Sequence, residues 1–163
     1  MKRRVYIGIG SNHDAARNLR AAMRLLRART DFVAASPVYE TAAIGKTAGG
    51  AFYLNAVVII ETERTPESLR AGVLENIERQ LLRSRADTGK VTVDLDVLRW
   101  ENAAGGDAIW ACLPEDLDHP HVAVPLADVA PALLHPAALK PMQEIAARFR
   151  RMPGIRLCTD VHL

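Results

Sequence analysis

Apolar residues along the chain switch between alternating and helical spacing. Val5-Tyr6-Ile7-Gly8-Ile9 is rich in strand formers and stops at Gly10-Ser11-Asn12, which predicts a strand closed by a turn. Leu19, Met23 and Leu26 then recur on one helical stripe, with Arg17, Arg20, Arg24 and Arg27 outside it. A helix is expected from about Ala15 to Arg29, capped by Asn12 or Asp14. Phe32 to Tyr39 reads as a second strand, in which Pro37 suggests a sheet edge. Thr41 to Gly50 carries Gly45, Gly49 and Gly50 and reads as a loop, and Phe52 to Thr62 is a long β-branched strand. Thr65-Pro66-Glu67 supplies a capping hydroxyl, a proline at the first helical position and an early acid. Leu69, Val73, Ile77 and Leu81 continue that helix to about Arg83. After a break at Thr88-Gly89-Lys90, Val91 to Leu98 alternates as a strand. Residues 101–121 look like an excursion, Pro125 to Ala130 a short helix, Pro141 to Arg151 a clearer one, and Ile155 to Leu163 a last strand.

The order is β-α-β-β-α-β followed by a C-terminal appendix. It suggests an α+β sandwich with a largely antiparallel sheet covered by two helices on one face. A length of 163 residues is that of a single domain spanning 1–163. The 49% hydrophobic and 25% charged residues exclude disordered, collagen-like and disulfide-scaffold classes. No apolar run is long enough to cross a bilayer, so no membrane partner is expected. Met1-Lys2-Arg3-Arg4 begins like a secretion signal, but the apolar run Val5 to Ile9 is too short for a signal core.

Charge and cysteine usage narrow the function classes. A net charge of +2 is too small for bulk nucleic-acid binding, so no nucleic-acid partner is expected. The charge is unevenly spread. Residues 1–35 hold eight Lys/Arg against Asp14 and Asp31, whereas residues 101–135 hold six Asp/Glu and no Lys/Arg. The plain reading is two solvated faces of opposite sign. Cys112 and Cys158 lie far apart without a CxxC, which argues against a thiol metal site and for a reducing, cytoplasmic compartment.

The sharpest chemical feature is Val91-Thr92-Val93-Asp94-Leu95-Asp96-Val97. On a strand, Val91, Val93, Leu95 and Val97 share one face and Asp94 and Asp96 the other, with Cα atoms roughly 6.5–7 Å apart. Paired carboxylates repel unless a cation lies between them, and Mg²⁺ with few protein ligands usually brings phosphate oxygens with it. The bland alternative is an amphipathic strand with two solvated acids. Arg83 and Arg85 lie just upstream, suited either to a polyphosphate or to a helix C-terminus. His119-Pro120-His121 after Asp118 could bind zinc, donate to a phosphate or base, or be loop histidines; no third metal ligand has a convincing spacing. Gly8-x-Gly10-Ser11-Asn12 lacks the remaining glycine or lysine of a nucleotide loop.

Taken together, several segments resemble the 6-hydroxymethyl-7,8-dihydropterin pyrophosphokinase family. In order, they are Ile7-Gly8-Ile9-Gly10-Ser11-Asn12, Ser36-Pro37-Val38-Tyr39-Glu40-Thr41 running to Gly45, and Phe52-Tyr53-Leu54-Asn55-Ala56-Val57. Ile77-Glu78 with Arg83-x-Arg85, Val93 to Leu98, Pro120-His121 and Val124 to Pro131 follow. The resemblance implies a ferredoxin-like βαββαβ fold and transfer of pyrophosphate from ATP to the pterin hydroxymethyl group, giving AMP. It implies that Asp94 and Asp96 hold two Mg²⁺ ions, and that Arg83 and Arg85 neutralise the β- and γ-phosphates. Glu78 and His121 match ATP contacts, with Lys90 the nearest cation in the following loop. Asn55 would bind the pterin edge and Tyr53 stack on its ring, assisted by the backbone of Thr41, Ile44 and Gly45.

Three departures from the family pattern stand out. Leu82 occupies the place of a Gly before Arg83. The loop after Arg85 is only Ala86 to Lys90, without the family's Trp and Arg. Only Val122-Ala123-Val124 separates His121 from Pro125, so a pterin-stacking Phe and ATP-binding arginines are missing. Trp110 is a candidate replacement wall that the sequence does not place. The expectation is therefore a pterin pyrophosphokinase of folate biosynthesis, the alternative a non-catalytic relative that keeps a pterin or nucleotide pocket.

Overall fold

The computed structural model describes residues 1–42, 51–87 and 89–163. Strand β1 (Arg3–Ser11) leads into α1 (Ala15–Arg27), then β2 (Asp31–Ala35), β3 (Val38–Ala42) and β4 (Phe52–Thr62). The next helix begins as α2 (Pro66–Leu69), widens into a π-helical turn (Arg70–Leu74) and ends as α3 (Glu75–Gln80). Strands β5 (Asp94–Asn102) and β6 (Ala108–Trp110) follow, then a 3₁₀ turn (Pro114–Asp118), α4 (Pro120–Val129), α5 (Met142–Phe149) and β7 (Ile155–Cys158).

The strands form one sheet in the order β6-β5-β1-β4-β3-β7, with β2 also on β4, and every pairing is antiparallel. The expected strand Phe32 to Tyr39 is two strands. Residues 31–35 pair with the far half of β4 and 38–42 with its near half. Pro37 has no N–H to give, and Ser36 repairs the break: its backbone N–H donates to Val57 O and its Oγ accepts from Val57 N at 3.0 Å. Pro37 therefore marks a break rather than an edge, since β3 carries β7 on its other side.

Helices cover both faces of the sheet, not one. Val5, Ile7 and Ile9 of β1 and Val58 and Ile60 of β4 bury against Leu19, Met23 and Leu26 of α1 and against Leu69, Val73 and Ile77. The opposite face, with Tyr6, Val57, Ile59 and Leu98, packs on Leu126 of α4 and Met142 and Ile145 of α5. The physical sign was the unbroken run Val57-Val58-Ile59-Ile60, which needs apolar cover on both sides.

Asp14 sits at the N-cap of α1 with φ 44° and makes no side-chain cap bond, and Asn12 does not cap either. The Asn12 side chain accepts from Val91 N at 2.7 Å and donates to Gly89 O at 2.9 Å, while Ser11 Oγ donates to Thr92 O at 2.7 Å. Strand β5 accordingly begins at Asp94 rather than Val91, because Val91 and Thr92 are tied to the end of β1. A bulge leaves Leu98 without a partner on β1 between Val97 and Arg99 and shifts the alternation beyond it, so that Leu98 stays on the α4–α5 face with Asp94 and Asp96 while Trp100 turns to the α1 face. The C-terminal strand ends at Cys158.

Candidate active site

A cavity of about 470 Å³ opens on the α4–α5 face of the sheet. Gly8 and Gly10 of β1 lie at its floor, where absent side chains leave room. A Cβ at Gly10 would stand 3.0 Å from Asn55 Oδ1. Asn55, buried in β4, donates through Nδ2 to Thr41 Oγ1 at 2.9 Å across the β3–β4 pair. Half-buried Tyr53, two residues along the same face of β4, also lines the cavity. Ile44 and Gly45 lie outside the described residues.

Asp94 and Asp96 project together into this cavity from β5, as strand alternation requires. Asp96 is solvent-accessible yet ringed by protein; that burial, then the neighbouring Asp94, pushes its carboxyl up to about 6. Such a pair is short of positive charge. Its oxygen-only donors and relieved repulsion suit a hard divalent cation. Among the described residues no third His, Cys, Asp or Glu joins them.

Buried Glu78 links the helix to this strand. Its Oε1 accepts the Leu95 N–H at 2.9 Å and its Oε2 pairs with Arg85 Nη2 at 3.1 Å. Burial raises its pKa, with Asp94 adding to the rise. Arg83 and Arg85 line not the cavity but an adjoining depression with Glu75 and Arg79. Arg83 reaches back toward the acids, its Nε 3.9 Å from Asp94 Oδ1 and without a hydrogen-bond partner among the described residues. The helix end explains this placement. Leu82 N–H donates to Arg79 O and Arg83 N–H to Glu78 O, with Leu82 left-handed at φ 59°. This is the turn that glycine favours, and here Leu82 adopts it. Lys90 is exposed and lines neither space.

His121, at the start of α4, lines the cavity and stacks on His119 at 5.6 Å between ring centroids. Burial, then His119, pushes its imidazole down to about 4, so it is neutral at ordinary pH. The two histidines and Asp118 do not form a metal cluster among the described residues. Trp110 lies under the Arg99 guanidinium at 5.0 Å and is not a cavity wall.

Three lining residues escaped the reading of the sequence: Arg70, Cys112 and Asp116. Cys112 is inert there, since burial pushes its thiol up to about 11. Asp116 is fixed by accepting Leu113 N at 2.9 Å within the 3₁₀ turn. None of the three belongs to a motif, and only folding brings them to the acids.

Comparison with known proteins places the chain among relatives. A curated 2-amino-4-hydroxy-6-hydroxymethyldihydropteridine pyrophosphokinase of Methylorubrum extorquens is 38% identical over 143 residues, 80% of this chain and 85% of that protein. Crystal structures of Plasmodium falciparum HPPK-DHPS share the fold. The wild type with pteroate matches with a TM-score of 0.66 at 11% identity, over 91% of this chain and 44% of that one. The wild type with STZ-DHP matches at 0.66 and 9%, over 91% and 43%. The chain thus spans less than half the length of those solved chains. The family model for 7,8-dihydro-6-hydroxymethylpterin-pyrophosphokinase (HPPK) matches residues 6–131. By that match and by its likeness to the Methylorubrum extorquens enzyme, the chain belongs to the 7,8-dihydro-6-hydroxymethylpterin-pyrophosphokinase family.

Proposed function

We propose that residues 1–163 act as one domain that transfers pyrophosphate from ATP to 6-hydroxymethyl-7,8-dihydropterin, a step of folate biosynthesis. The observation that carries this reading is that Asp94 and Asp96 open into the same cavity as Tyr53 and Asn55, so a phosphate site and a flat-ring site adjoin. The hydroxymethyl oxygen bonds to the β-phosphorus, and the bond from that phosphorus to the oxygen shared with the α-phosphorus breaks. AMP leaves with that oxygen, and the hydroxyl proton passes to solvent. Such a transfer needs positioning and charge compensation more than a protein nucleophile.

Asn55 presents Oδ1 to the pterin edge while Thr41 holds its other end, and Tyr53 offers an aromatic wall to the ring. Backbone of Ile44 and Gly45 is proposed to complete that subsite. Asp94 and Asp96 would hold Mg²⁺, two ions in this reading, which neutralises the polyphosphate and orients it. Arg83 and Arg85 take the β- and γ-phosphates once they leave Asp94 and Glu78. Glu78, Lys90 and neutral His121 are the remaining nucleotide contacts. The free thiols of Cys112 and Cys158 fit a cytoplasmic setting.

The test is to incubate the protein with ATP, Mg²⁺ and 6-hydroxymethyl-7,8-dihydropterin and to follow AMP. Pterin-dependent AMP is expected, and Asp94→Asn or Asp96→Asn should each cut turnover by orders of magnitude without loss of fold. Tight pterin binding with no AMP would replace the enzyme by a binding module.

A further inference from the structure

We propose that Arg70, carried on the π-helical turn, is a phosphate-binding residue of the nucleotide site, an inference that rests on the function proposed above. Among the described residues that line the cavity it is the one arginine or lysine, facing Asp94, Asp96 and Asp116. A cavity walled by three carboxylates and neutral His121 repels a polyphosphate unless cations reach it. Arg83 and Arg85 are engaged in the neighbouring depression, by Asp94 and Glu78 respectively.

The π turn is built into the sequence. Leu69, Val73 and Ile77 repeat every four residues, whereas an α-helix returns every 3.6, so each step drifts by about 40°. One wide turn absorbs the surplus: Glu75 N–H donates to Arg70 O, five residues back, and all three side chains remain fully buried. Wide turns of this kind are frequent at functional sites. Arg70 thereby lines the cavity beside Asp94 and Asp96, in the part of β5 that pairs with β1 on one edge only, since β6 covers the other edge only from Arg99 to Glu101. Its guanidinium is largely exposed and meets Glu75 through Nε at 3.3 Å, a surface contact easily exchanged for a phosphate. A guanidinium gives a phosphate two parallel hydrogen bonds, which a lysine cannot.

The experiment measures equilibrium binding of a non-hydrolysable ATP analogue with Mg²⁺, and separately of the pterin, to wild type, Arg70→Ala, Arg70→Lys and Glu75→Gln. Expected is a roughly 10- to 100-fold loss of nucleotide affinity in Arg70→Ala, with partial recovery in Arg70→Lys and pterin affinity unchanged. Glu75→Gln, which frees the guanidinium, should bind nucleotide at least as tightly as wild type. Nucleotide affinity of Arg70→Ala within twofold of wild type overturns the inference and leaves the function standing. Wild-type protein that binds no nucleotide overturns both.

Discussion

Glu78 Oε1 accepts the main-chain N–H of Leu95 at 2.9 Å, at the residue between Asp94 and Asp96. One buried carboxylate therefore fixes the strand segment that aims both acids, while its other oxygen holds Arg85. Glu78→Gln keeps an acceptor for Leu95 but loses the ion pair; Glu78→Ala loses both. Glu78→Ala should cost about 1–3 kcal/mol of stability and Glu78→Gln less, with turnover falling in the same order. Urea midpoints read beside AMP formation check this, and equal behaviour of the two variants would refute it.

Asp96 and His121 tilt stability with pH in opposite directions. The Asp96 carboxyl is raised from 3.8 to about 6, so the folded state holds its proton more tightly than the unfolded chain. That contribution is present below about pH 4 and is lost as pH rises through 6. His121 is lowered from 6.5 to about 4, so its contribution is present above pH 6.5 and is lost as pH falls through 4. Solvent access limits the Asp96 share to roughly 1 kcal/mol or less, whereas half-buried His121 carries on the order of 1–3 kcal/mol. Between pH 7 and pH 4, without Mg²⁺, Asp96→Asn should lose stability more steeply than wild type and His121→Gln less steeply. Denaturant midpoints across that range decide it; superimposable profiles would contradict the assignment.

Leu82 is 81% exposed and holds φ 59°, so it bears the steric cost of a left-handed residue without packing in return. Glycine adopts that conformation freely but gives up more chain entropy on folding. Leu82→Gly should stabilise the fold by about 0.5–1 kcal/mol, measured as a rise in Tm. A fall in Tm would mean that the turn is not strained.

Gly10→Ala should act through Asn55, because the added Cβ would meet Asn55 Oδ1 at 3.0 Å. A loss of about tenfold in pterin affinity is expected, on the scale of one disturbed hydrogen bond. In an Asn55→Ala background the same change should add little, since the partner it displaces is gone. Additive losses measured by pterin titration would point to a different cause.

Most helices and strands and the pairing of Asp94 with Asp96 were legible in the sequence, because they are written in local spacing, and the ordered segments from Ile7 to Pro131 carried the resemblance to the family. Alternation put both acids on one face of β5, and the cap Thr65-Pro66 started a helix where one is found. The division of one expected strand at Ser36-Pro37 is a matter of long-range pairing, since the repair comes from Val57 on another strand. Tertiary packing likewise turned Asn12 from a helix cap into an anchor for Val91 and set Arg83 and Arg85 beside the acids rather than inside the cavity. Arg70 and Asp116 join the site from 24 residues before Asp94 and 20 residues after Asp96. No local spacing encodes such a meeting; it follows from the packing of the helix and the 3₁₀ turn around β5.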